Sequence, residues 1–181
     1  MNSSRSHARS LYMEWAKLRS AAKFNLATSG LANLPLAELE VSLDQLEITG
    51  SSIYGYDPLL KAIARRYRVP QTSVVSAVGA SMANYMALAA TTEPGDEILV
   101  EHPAYEPLVN SARYLGLRIT YFERPAESNF VIDLAELARK LTPRTRVIAI
   151  TNLHNPSGTL TPDSTLREIA TEKAGIVKPG V

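Results

Sequence analysis

From residue 74 onward, short apolar runs rich in β-branched residues alternate with stretches of helical periodicity, and this alternation admits few architectures. VVSAV (74–78), EILVEH (97–102), LRITYFE (117–123) and RVIAITNL (146–153) read as strands. Between them, SMANYMALAATTE (81–93) is helical and stops at Pro94-Gly95, YEPLVNSARYLG (105–116) closes at Gly116, and FVIDLAELARKL (130–141) leads into a helix. DSTLREIATEKAG (163–175) adds another helix after the last strand. Strands almost continuous in Val, Ile and Leu have to be covered on both faces. The pattern therefore predicts an α/β three-layer sandwich around a mostly parallel sheet.

Upstream the signals are sparser. Residues 1 to about 10 offer nothing apolar to anchor them, and Leu11, Met13, Trp15, Leu18 and Ala22 then fall close to one helical face. Residues 24–36 mix apolar residues with Ser, Gly, Asn and Pro and read as an irregular arm. Asp57 as N-cap and Pro58 at the first helical position predict a helix over 58–67. The chain is thus read as an N-terminal arm with a helix (1–23), an irregular arm and linker (24–57) and an α/β domain (58–181).

Composition narrows the function. Nineteen Lys plus Arg stand against 18 Asp plus Glu among 181 residues, so no nucleic-acid partner is implied. Without cysteine there is neither a disulfide frame nor a thiolate metal site, and no metal is expected. The apolar stretches are too short to span a bilayer, and the basic N-terminus lacks an apolar h-region, so a cytoplasmic protein is expected.

In open α/β sheets, ligands bind where strands end and helices begin. Three loops qualify. Gly79 lets the backbone approach a ligand, the first amides of the following helix are unpaired, and Ser81 adds a hydroxyl, a combination suited to phosphate. By spacing alone, a plain strand-to-helix turn with Ser81 as N-cap is the commoner meaning. Tyr105, after His102-Pro103-Ala104, could stack on a flat heterocycle or be a half-buried core aromatic, and His102 reads as a polar loop residue. Asn155, in Asn152-Leu153-His154-Asn155-Pro156-Ser157-Gly158, is either part of a turn or an amide donor to a ligand oxygen.

Taken in order, these segments resemble the class I and II aminotransferases, pyridoxal-phosphate enzymes of fold type I. YGYDPLLKAIARRY is similar to their Y-x-x-x-x-G-x-x-x-L-R-x-A-I-A segment, and VGASMA to their G-A-x-x-A phosphate loop. EPGDEILVEHPAYEPL resembles P-G-D-x-V-L-x-x-x-P-x-Y, and ITNLHNPSGTL resembles N-P-x-N-P-T-G, so the likeness runs from about Phe24 to Gly175. The resemblance implies that Gly79, Ala80 and Ser81 hold the phosphate of pyridoxal 5′-phosphate and that Tyr105 stacks on its ring. It also implies that Asn155 hydrogen-bonds the ring hydroxyl oxygen and that Gly30 belongs to a substrate arm. The implied activity moves an amino group between an amino acid and a 2-oxo acid in a homodimer, with the cofactor as electron sink.

Two departures stand out. Gly50 occupies the place of the family's Tyr five residues before the motif's glycine, here Gly55, so Tyr54 is the candidate for the phosphate contact with a neighbouring subunit, with Tyr56 as the alternative. No Asp follows Asp163, and the later lysines, Lys173 and Lys178, lie outside any Ser-x-Ser-Lys context. Lys178 reads as a solvated residue of a Lys-Pro-Gly tail. The expectation is an incomplete large domain without the Schiff-base lysine, inactive by itself. The rival reading is a non-catalytic module that binds phosphate or the cofactor, while a nucleotide-binding domain is disfavoured for want of dinucleotide or triphosphate loops.

Overall fold

The computed structural model describes residues 10–19, 23–24, 34–50 and 55–176. They group into two compact units, one of Met1–Tyr12 with Ser81–Val181 and the other of Met13–Ala80. Six α-helices are described: α1 (Leu11–Leu18), α2 (Asp57–Tyr67), α3 (Ala80–Thr91), α4 (Glu106–Tyr114), α5 (Leu134–Lys140) and α6 (Asp163–Ile176). Three strands accompany them: β1 (Glu97–His102), β2 (Arg118–Glu123) and β3 (Thr145–Ala149).

The larger unit is a parallel sheet in the order β2-β1-β3. Ile98 pairs with Ile119 on one side and Val147 on the other. Period-2 alternation sends successive residues of β1 to opposite faces, so both faces need a cover. Ile98 and Val100 pack with Leu88 of α3 and with Leu108, Val109 and Ala112 of α4. On the opposite face Leu99 and Phe122 meet Ile132, Leu137 of α5 and Ile169 of α6. This is the expected three-layer α/β arrangement, with β1 at its centre.

The boundaries follow local chemistry. Asp133 caps α5, its carboxylate accepting from the amides of Ala135 and Glu136 at 2.8 and 3.1 Å. At the start of β1, Glu97 accepts from the Thr142 hydroxyl and from Arg144 Nε at 2.7 Å, tying that strand to the turn that opens β3. The Thr142 bond first and Arg144 next hold the Glu97 carboxyl below the usual glutamate range. Glu106 reaches back across 94 residues to the start of α1, accepting from the Ser10 hydroxyl at 2.7 Å and the Tyr12 amide at 3.0 Å. Those donors, Ser10 foremost, likewise hold the Glu106 carboxyl below the usual glutamate range.

In the smaller unit, α2 buries Leu60 and Ala64. A side chain at Gly55, where φ is +122°, would bring its Cβ within 2.7 Å of Ser76 Oγ, so that position needs glycine.

Several expectations shift. The strand expected at 74–78 does not form: Val74 is extended, yet residues 74–77 join no ladder, and Val75 and Val78 are exposed. A β-branched run becomes a strand only where a neighbour supplies hydrogen bonds, and none among the described residues does so. α2 begins one residue earlier than expected, with Tyr56 at the N-cap. Asp57 lies inside the first turn, where its carboxylate bonds Lys61 and Gln71, both at 2.6 Å, instead of capping amides. α1 ends at Leu18, short of 23, and β3 ends at Ala149, short of 153.

Two outcomes follow for stability. Ile98→Ala should lower the unfolding free energy by about 2–5 kcal/mol in urea titration, whereas Val75→Thr at its exposed site should change it by less than about 0.5 kcal/mol. Because the folded-state value of Glu106 is depressed, its contribution is complete above the ordinary glutamate range and disappears as pH falls through the depressed value. Glu106→Gln should therefore differ most from wild type near neutrality, and the two unfolding midpoints should converge in acid.

Candidate functional site

Each strand of a parallel sheet hands the chain to a loop at the same edge. His102 is the last residue of β1, in register with Glu123, and its exposed ring has Nδ1 3.0 Å from Glu123 Oε2 and lies edge-on to Tyr121. It is exposed and polar, but it belongs to the strand and not to the loop in which it was expected. Tyr105 caps α4 by its backbone and is half-buried, packing against the cluster of Ile98 and Val100 while part of it stays accessible.

After β3, Asn152 closes the base of a loop by exchanging two hydrogen bonds with the backbone of Thr161, at 3.1 and 2.9 Å. His154 is buried at 1% exposure, and its Nε2 donates to the Pro103 carbonyl at 2.9 Å while Nδ1 meets Ser157 Oγ at 2.6 Å. This imidazole fastens the loop carrying Asn155 to the loop carrying Tyr105. Asn155 gives its backbone N–H to Thr151 Oγ1 at 2.9 Å; its side chain is exposed, with no hydrogen bond among the described residues.

The third loop enters α3. Gly79 has φ +83° with no atom within 4 Å of a notional Cβ, and α3 starts at Ala80 with Ser81 exposed in its first turn. Ser81 is therefore inside the helix and not its N-cap. Gly79 and Ala80 belong to the smaller unit, while Ser81 and the rest of α3 belong to the larger one, where Leu88 packs against the sheet. Tyr54 and Gly30 lie outside the described residues, as does Lys178; Lys173 falls within α6.

Beneath the loops runs a network that the motif reading did not single out. Glu101 and Arg124, at 0% and 1% exposure, form an ion pair with Nη1 2.6 Å from Oε2. Arg124 also donates to the Phe130 carbonyl at 2.7 Å and to Thr161 Oγ1 at 3.2 Å, and Glu101 Oε1 accepts from both the amide and the hydroxyl of Thr151. Every buried side-chain polar atom among the described residues has a partner. Asn129 and Phe130 both adopt positive φ, +53° and +58°, which costs on the order of 1–3 kcal/mol each. That conformation turns their carbonyls toward Thr159 Oγ1 and Arg124. Glu101 was visible in the sequence as the second of two carboxylates in the run EILVEH, set after three apolar residues, a place that demands a partner.

The donor set has a definite chemistry. Unpaired first-turn amides and a hydroxyl suit a phosphate, a partly exposed phenol ring suits a flat heterocycle, and an unengaged carboxamide suits an oxygen on that ring. No helix among the described residues is long and apolar enough to cross a membrane.

Comparison with known proteins agrees with this chemistry. The sequence model for "Aminotransferase class I and II" matches residues 33–177. A histidinol-phosphate aminotransferase of Methanocella arvoryzae is 34% identical over 66% of this chain and 32% of its own length. Capreomycidine synthase of Streptomyces vinaceus is 34% identical over 76% of the chain and 38% of its own length. Among solved structures, alanine aminotransferase from Pyrococcus furiosus superposes with a TM-score of 0.64 at 29% identity, over 68% of this chain and 33% of that one. The chain thus spans about a third of the length of the curated relatives it matches.

The ion pair gives a direct test of the network. Arg124→Met should destabilise the chain by about 3–5 kcal/mol in chemical denaturation, because Glu101 is left buried and unpaired, and adding Glu101→Leu should recover most of that loss.

Proposed function

The chain belongs to the class I and II aminotransferases, and we propose that it contributes the phosphate and ring contacts of a pyridoxal-phosphate site in an enzyme exchanging amino groups between an amino acid and a 2-oxo acid. Members of this family depend on pyridoxal phosphate, and the donor set at the sheet edge fits that group. The first-turn amides of α3, at Ala80 and Ser81, with the Ser81 hydroxyl, would hold the phosphate dianion, favoured by the helix dipole. Gly79 would let the phosphate approach without a side chain in the way. The ring of Tyr105 would lie against the pyridine, and the Asn155 amide would donate to the ring hydroxyl oxygen. When bound, the cofactor supplies an electron sink for cleavage of bonds at the amino acid's α-carbon.

The carrying observation is the His154 clasp. Its 2.9 Å bond to the Pro103 carbonyl joins the Tyr105 and Asn155 loops, so ring and hydroxyl contacts are offered from one rigid edge. Tyr54 and Gly30 remain candidates for a neighbouring subunit's phosphate contact and for the substrate arm. The full protein is proposed to act as a homodimer in the cytoplasm.

Fluorescence titration of the chain with pyridoxal phosphate, set against ATP, tests the reading. Pyridoxal phosphate should bind in preference to ATP, and Asn155→Ala should weaken it about 2- to 12-fold, the equivalent of one net hydrogen bond. Preference for ATP, or affinity indifferent to both Asn155→Ala and Tyr105→Ala, would refute it.

A further inference from the structure

Thr151 stands between the buried ion pair and Asn155, and its hydroxyl has only one proton to give. That proton goes to Glu101 Oε1 at 2.5 Å, alongside the Thr151 amide, which donates to the same oxygen at 2.7 Å. The oxygen lone pairs are thereby turned toward the Asn155 backbone N–H, which donates to Thr151 Oγ1 at 2.9 Å. Donation runs one way along the line: from Asn155 N–H to the Thr151 hydroxyl, from that hydroxyl to Glu101, with Arg124 completing the carboxylate from the other side. Hydrogen bonds to a charged acceptor are stronger than neutral ones, and successive bonds polarise one another. The same pair also grips the far root of the loop, since Arg124 donates to Thr161 Oγ1 and Thr161 is bonded to Asn152. Both roots of the loop 152–161 are therefore fixed to one buried charge pair, and Thr151 is the only hydroxyl that passes this restraint to the backbone of Asn155 among the described residues.

We propose that Thr151 is a positioning residue, holding the Asn155 backbone so that its side-chain amide meets the ring hydroxyl oxygen of the cofactor. This rests on the cofactor reading above. Thr151 touches neither cofactor nor substrate in this account; it acts through Asn155. Thr151→Val keeps the shape and the amide bond to Glu101 but removes the hydroxyl acceptor. Thr151→Ser restores it.

Two readouts on the same chain decide the matter. In the cofactor-free chain, amide hydrogen exchange of Asn155 followed by NMR should accelerate about 2- to 12-fold in Thr151→Val, as expected for one lost hydrogen bond, and return to the wild-type rate in Thr151→Ser. The dissociation constant for pyridoxal phosphate should rise by a similar factor in Thr151→Val and recover in Thr151→Ser. That rise should vanish in an Asn155→Ala background, and with 3-deoxypyridoxal phosphate, which has hydrogen in place of the ring hydroxyl. Thr151→Ala, checked for native circular dichroism, serves as the second hydroxyl-free variant and should behave as Thr151→Val does. An equal loss in the Asn155→Ala background, an equal loss with the deoxy probe, or an unaltered Asn155 exchange rate would overturn the proposal while leaving the cofactor reading intact. A wild-type chain that binds both probes alike and ignores Asn155→Ala would overturn the cofactor reading, and the positioning role with it.

Discussion

The ion pair between Glu101 and Arg124 governs the carboxyl edge of the sheet. Both side chains are removed from water at the end of the central strand, where desolvation costs several kcal/mol per ion unless geometry and additional hydrogen bonds offset it. Here the offset comes from the Phe130 carbonyl and Thr161 on the arginine, and from the amide and hydroxyl of Thr151 on the carboxylate. Each partner belongs to a different segment. Satisfying one charge pair therefore fixes the end of β1, the exit of β2, the exit of β3 and the loop up to Thr161 with respect to one another.

That arrangement fixes the edge at which the ligand contacts are proposed. The three-layer core beneath it is closed by α3 and α4 on one face and α5 and α6 on the other, so the strands cannot slide without opening one of the two clusters. Above the core, His154 bridges the first and third strand exits through Pro103, and the left-handed turn at Asn129 and Phe130 directs two carbonyls inward. Strain of that kind persists only where its surroundings over-determine it. At this edge the carboxamide of Asn155 is exposed and makes no hydrogen bond among the described residues.

Much of this was legible in the sequence, and the exceptions share a cause. β1 emerges with the limits read from EILVEH, α3 and α4 end just before their Pro and Gly stops, α5 lies within 130–141, and α6 runs one residue past Gly175 to Ile176. Tyr105 and Asn155 follow the ends of parallel strands β1 and β3, and His154 joins their loops through the Pro103 carbonyl. VVSAV has the composition of a strand and is not one, because a strand depends on neighbours that composition does not encode. Asp57 has the identity of an N-cap, but Lys61 and Gln71 compete for its carboxylate. The pair of Glu101 and Arg124 is 23 residues apart, and Thr151 lies 50 residues from Glu101. An unpaired carboxylate in an apolar strand announces that a partner exists; only the register of β1 against β2 says which one.

The central claim is that this edge is the cofactor-binding face. Its most direct test is a two-dimensional amide NMR spectrum of the isotope-labelled chain titrated with pyridoxal phosphate. Saturable shifts are expected at Gly79 to Ser81, around Tyr105 and at Asn155, with Ile98, Leu99 and Val100 in the core unmoved. Shifts that map to another surface, or that leave Ser81, Tyr105 and Asn155 unperturbed at saturation, would contradict it.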